Sequence, residues 1–188
     1  MEKILNDVNL IKPRLVNRER NKGGDYVFVD SPLSDLIYQF HYKIDNVGVI
    51  KLTNQILEAV DITLEDILSS GQGDDDVFIQ SMGDFFNFNQ DELMQQILIV
   101  TNTEKYYGAE VAFRPDVARA NYEKCGDYYI LPSSVHEVLI VPVSVMPVGS
   151  GLLDMVRQVN ASCVDAEDYL SDAVYLFDGA KFSTCNNV

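Results

Sequence analysis

A chain of 188 residues that is 47% hydrophobic and 23% charged has the make-up of a folded protein with one large core or two small ones, which excludes a disordered chain. Its formal charge of -15 repels phosphate and so disfavours direct nucleic-acid binding outside one basic segment. No apolar run nears the roughly 20 residues of a membrane span, no signal pattern opens the chain, and Cys125, Cys163 and Cys185 form no metal-type cluster. The expectation is a cytoplasmic protein with reduced thiols, no membrane contact and no structural zinc.

In chain order, residues 1–9 read as a short strand or frayed start, and Pro13 opens a helix over 13–21 that carries Lys12, Arg14, Arg18, Arg20 and Lys22. Gly23 and Gly24 end it. Strands follow at 26–29 and 36–44, joined through Ser31-Pro32 as an antiparallel pair, with Asp45-Asn46 as the next break. Val49, Leu52, Ile56 and Val60 recur at helical spacing, so 49–59 is predicted as an amphipathic helix. Thr63 is the predicted N-cap of a second helix, with Asp66 completing a capping box and Ile62 and Ile67 at staple positions.

The run SSGQGDDD at 69–76 is the predicted linker. Beyond it come a short strand or turn within 77–88, a helix over 89–96, and strands at 97–101 and 109–113 around a turn at 104–108. Pro115 then opens a helix to Lys124. The stretch GDYYILPSSVHEVLIVP, residues 126–142, holds two β-type runs, a Pro132-Ser133-Ser134 turn and the only His-Glu pair in the chain. Helices at 151–159 and 166–171 follow, and Asp178-Gly179 marks a type I′ hairpin in VYLFDGAKFST.

Adding 102 to each number lays residues 2–70 on 104–172 without a gap. Gly24, Asp25 and Tyr26 then meet Gly126, Asp127 and Tyr128; Ser31 meets Ser133, Asp35 meets Glu137, and Pro13 meets Pro115. This reads as an internal duplication. The fold expected is α+β: two tandem copies of a β-α-β-β-α-α unit, with a mixed or largely antiparallel sheet and helices packed on one face. The expected organisation is a first repeat at 1–70, an acidic linker and helix at 71–97, and a second repeat with a C-terminal hairpin at 98–188, with one merged domain as the alternative.

Ser133, Ser134, His136 and Glu137 are the catalytic candidates, because hydroxyl, imidazole and carboxylate are the groups of nucleophilic hydrolysis. Against this, strand alternation sends His136 and Glu137 to opposite faces, and no GxSxG elbow is present. The repeat gives Ser and acid at the matching positions, which reads them as turn and backbone-bonding groups and leaves His136 as the residue peculiar to the second copy. A metal site finds no support: HExxH fails at Ile140, His41 sits in a strand between Phe40 and Tyr42, and Asn87, Asn89 and Asp91 lack the glycine and glutamate of a calcium loop. Gly71 and Gly73 make no phosphate cradle without a third glycine and a lysine. Tyr106, Tyr107, Tyr128 and Tyr129 read as sheet-face packing.

The runs PRLVNRERNK (13–22), LIVTNTEKYYGAEVAF (98–113), YYILPSSVHEVLIVP (128–142), LLDMVRQVNA (152–161) and YLSDAVYLFD (169–178) resemble a domain-of-unknown-function family of gut Firmicutes. Its members carry an ILPSSIHEV-like signature, a following VN and an LSDxVY-like ending. The chain lacks the additional amino-terminal segment of many members, so a short form or a fragment is expected. The resemblance implies a bacterial cytoplasmic or mobile-element origin and brings no activity, cofactor or catalytic residue.

Residues 52–104 contain eleven acids and no lysine or arginine. The functional expectation is a non-catalytic protein-interaction module that binds a partner with a basic surface, as an acidic mimic occupying a nucleic-acid-binding protein. Asp61, Glu65, Asp66, Asp74, Asp75, Asp76, Asp84, Asp91 and Glu92 are the partner-binding residues, with no cofactor and no metal. The alternatives are a small hydrolase or transferase using His136 with Ser133 or Ser134, and a homo-oligomeric assembly or stabilising subunit.

Overall fold

The structure, a computed structural model, describes residues 8–21, 23–44, 48–70, 76–147 and 151–185. The chain divides into two compact units, Met1–Asp75 and Asp76–Val188. Both are α+β, every strand pairing in their sheets is antiparallel, and helices pack on the sheets.

In the first unit β1 (Ile11–Asn17), β2 (Phe28–Asp30), β3 (Leu36–Ile44) and β4 (Gly48–Lys51) form one sheet centred on β3, whose first half pairs with β2 and second half with β4. Helices α1 (Asn54–Val60) and α2 (Leu64–Ser69) follow, and Leu57 and Ile67 join Ile11, Phe40, Tyr42 and Leu52 in one buried cluster. The helix expected over 13–21 is instead strand β1 and a 3₁₀ turn at Glu19–Asn21. Pro13 is tolerated because β1 is the edge of its sheet, where a missing N–H breaks no ladder. The basic residues therefore share no helix, and Arg18 pairs with Asp30 at 2.8 Å. The helix expected from residue 49 begins at Asn54, capped by Thr53, since residues 48–51 pair with β3. The expectations at 1–7, Lys22, Asp45, Asn46 and 71–75, which include Asp74 and Asp75, lie outside the described residues.

The second unit contains β5 (Val77–Ser81), α3 (Met82–Phe85), α4 (Glu92–Gln96), β6 (Leu98–Asn102), α5 (Pro115–Cys125), β7 (Tyr128–Leu131), β8 (Val138–Pro142), α6 (Leu152–Cys163), β9 (Val174–Phe177) and β10 (Phe182–Cys185). Its six strands run in the order β10-β9-β7-β8-β6-β5. Alternation along the strands sends Tyr129, Leu131, Val141 and Val174 to the face covered by Leu152 and Val156 of α6. Tyr128 and Phe177 face the other way, where the Tyr128 hydroxyl donates to the Ala118 carbonyl of α5 at 3.2 Å and Phe177 meets Tyr122. Helices thus cover both faces of this sheet rather than one, because both faces of its central strands are apolar.

Four further expectations change. Residues 109–113 form a buried 3₁₀ turn, not a strand, with Ala109 N–H bonded to the Val135 carbonyl. Residues 166–171 form no helix, because their backbone groups bond to the 132–135 turn instead: Val135 N–H to Asp168 O, Leu170 N–H to Ser133 O and Ser171 N–H to Pro132 O. The terminal hairpin forms, but of its two central residues Gly179 alone has positive φ (84°), and type I′ needs it at both. The tandem duplication is not sustained either, for the +102 register sets strand β1 on helix α5 and helix α2 on a turn.

Candidate functional site

The 132–137 turn joins β7 to β8 and is held from two sides. One side is the 168–171 segment just described. On the other, the His136 carbonyl accepts from Gly108 N–H at 3.1 Å and from the Thr101 hydroxyl at 2.6 Å. Asn102, almost fully buried, fixes the 103–108 loop by donating to the Tyr106 carbonyl and accepting from Tyr106 N–H. Lys105 and Tyr107 take left-handed backbone conformations, φ 53° and 48°, which turn that loop back over the His136 ring.

His136 is consequently engaged at both ring nitrogens and by two aromatic rings. Its Nδ1 accepts from Tyr107 N–H at 3.1 Å, so that nitrogen carries no proton, and Nε2–H donates to Asp168 at 3.0 Å. Tyr106 stacks on the ring at 5.3 Å between centroids and Tyr107 meets it edge-on at 5.5 Å. Neither nitrogen is open to take a proton from a hydroxyl. The Ser134 hydroxyl instead accepts from its own loop at His136 N–H, 3.0 Å away, and Ser133 engages through its main-chain carbonyl. Among the described residues the four catalytic candidates share a loop without forming a nucleophile–base pair.

Ser31 of the first unit accepts from Leu33 N–H as Ser134 accepts from His136 N–H. The serine turn recurs, one residue out of the register that matched Ser31 with Ser133. Glu137 differs from this pattern: its carboxylate has no hydrogen bond among the described residues, and burial pushes its pKa up, with His136 opposing and Asp168 adding to the rise. It lines a cavity of about 330 Å³ between α3 and the β5–β6–β8 face, together with Phe78, Phe85, Phe86, Leu139 and Lys105.

The partner-binding acids fall in both units. Asp61 is the C-cap of α1, Glu65 lies in the first turn of α2, and Asp66 closes the capping box with Thr63. Asp76, Asp84, Asp91 and Glu92 are exposed in the second unit. Asp84 accepts from Gln95, and Asp91 caps α4 through Leu93 and Met94 N–H. This cap is what the Asn87–Asn89–Asp91 echo of a calcium loop becomes. Among the described residues no group of three or more His, Cys, Asp or Glu side chains could hold a metal ion, and no helix is long and apolar enough to cross a membrane.

One family match spans residues 8–179, across both units and the whole of this loop cluster. The chain belongs to the DUF5688 family, a family of unknown function. No curated protein and no solved structure matches it. Membership in DUF5688 assigns no role to His136 or Glu137, so their chemistry is read from geometry alone. Sequence reasoning missed Asp168 and the two tyrosines as partners of His136. The adjacent Tyr106-Tyr107 pair was a visible signal, but its meeting with His136 depends on the left-handed loop. The Glu137 cavity has no sequence signal, since its walls come from four separate elements.

Proposed function

We propose that this DUF5688 protein is a non-catalytic protein-binding module, and that its contact surface is the corner formed by α3, α4 and the residues between them. The observation that carries this reading is a cluster of three phenylalanines, Phe85, Phe86 and Phe88, each about half exposed, in ring contact with one another and rimmed by Asp84, Asp91 and Glu92. Apolar groups left in water within a charged rim are the anatomy of a docking site. The absence of lysine and arginine from 52–104 makes the chemistry of the partner basic, and a nucleic-acid-binding protein offers such a surface. The protein would then act as an inhibitor that occupies that surface, in the cytoplasm of a bacterium of the gut Firmicutes kind.

The test is a photo-cross-linking amino acid placed at Phe88 and, as a control, at Glu123 on α5, followed by exposure in the native host. A cross-link to one basic protein from position 88 alone, in a complex that salt dissolves and nucleic acid displaces, supports the reading. Equal labelling from both positions, a salt-resistant complex, or a product of two copies of this chain overturns it.

A further inference from the structure

The cavity at Glu137 carries a second reading, which shares Phe85 and Phe86 with the docking corner but rests on Glu137 and Lys105. Phe78 pairs across the sheet with Thr101, and continuing the β6–β8 register sets Glu137 opposite Thr101. Phe78, Thr101 and Glu137 therefore form one row on the same face, about 10 Å from end to end at a strand spacing of about 4.8 Å. The Lys105 ammonium lies 4.7 Å from the centre of the Phe78 ring, at one end of that row. The Glu137 carboxyl lies at the other. Neither group forms an ion pair among the described residues, and Thr101 between them is already committed to the His136 carbonyl. Phe85 of α3, Phe86 at its C-cap and Leu139 of β8 supply apolar walls.

One acid and one base spaced along the floor of an apolar cavity are complementary to a zwitterion with an apolar side chain. We propose that the cavity binds a free apolar α-amino acid, with its carboxylate on Lys105, its ammonium on Glu137 and its side chain against Phe78, Phe85 and Phe86. The volume, about 330 Å³, is at the small end of ligand cavities, which run from roughly 300 to 1,000 Å³, and suits a ligand of about a dozen heavy atoms. Burial raises the Glu137 pKa, and an ammonium placed beside the carboxyl would oppose that rise by favouring its charged form.

The experiment uses the full chain with three probes of the same ring and length: L-phenylalanine, 3-phenylpropionate, which lacks the ammonium, and phenethylamine, which lacks the carboxylate. Calorimetry gives the affinities, and the methyl resonance of Met82, which also lines the cavity, reports the place. Phenylalanine is expected to bind at least about tenfold more tightly than either analogue, the worth of one charge-assisted hydrogen bond. Lys105→Met should reduce it to the level of phenethylamine, and Glu137→Gln to that of 3-phenylpropionate, with the thermal melt of each variant confirming its fold. Analogues that match phenylalanine, or a Met82 signal unmoved by phenylalanine at about 10 mM, would overturn the proposal while leaving the cross-linking result at Phe88 intact.

Discussion

His136 shows how a residue with catalytic chemistry becomes architecture. Removing its ring leaves the Tyr107 N–H and the Asp168 carboxylate without their partners and opens the space between two tyrosines. His136→Ala is expected to destabilise by about 1–3 kcal/mol in urea unfolding, the cost of unmet polar groups in a half-buried site. Asp168→Asn keeps an oxygen that accepts from Nε2–H and should lose less than Asp168→Ala; equal losses would mean that the contact contributes nothing. The other histidine sets a pH dependence. His41 is buried in β3, and that burial, with the charges of Arg14 and Lys51, lowers its pKa to about 3 from about 6.5. As pH falls below about 6.5 the unfolded chain takes up a proton that the native protein refuses until about 3. The stability present above 6.5 is thus lost through this window, by up to about 1.4 kcal/mol per pH unit. Urea midpoints between pH 7 and 4 should fall less steeply in His41→Leu than in the native chain.

At the scale of elements, local chemistry was legible wherever it acts within a few residues. The Thr63–Asp66 capping box and the start of α5 at Pro115 stand where their residues predicted, as does strand β3 over Leu36–Ile44. Expectations failed where a distant segment claimed the backbone. The 166–171 stretch has helix-capping residues, yet its carbonyl and amide groups pair with the 132–135 turn, and a helix cannot form from groups already bonded elsewhere. Gly108 is the counterpart among connections, lying against the backbone of both β6 and the His136 turn. A methyl there would stand 2.5 Å from Asn102 N and 2.9 Å from His136 O, neither of which can rotate aside. Gly108→Ala should therefore cost about 1–3 kcal/mol or more and, by displacing the 103–108 loop, broaden the ring resonances of Tyr106 and Tyr107 in NMR spectra.

Across the whole molecule the surplus of acids works against folding through self-repulsion, although Asp66 and Asp91 also bond helix N-termini. Raising salt from about 10 mM to about 0.3 M shortens the screening length from about 30 Å to under 10 Å and should lift the melting temperature by a few degrees. A melting temperature that falls with salt would mean that the local bonds of the acids outweigh their repulsion. Composition and patterning by themselves determined the α+β class, most strands, the capped helix α2 and the net field, because each depends on neighbours along the chain or on a sum over it. The apparent repeat was a pattern of identities that folding did not honour: the same proline closes no ladder at the edge of β1 and opens a helix at α5. Only the tertiary structure decided which groups meet at His136 and which bare carboxyl faces the cavity, since those meetings bring residues about 30 positions apart within hydrogen-bond reach. Sequence spacing has no term for a contact made by the return of the chain.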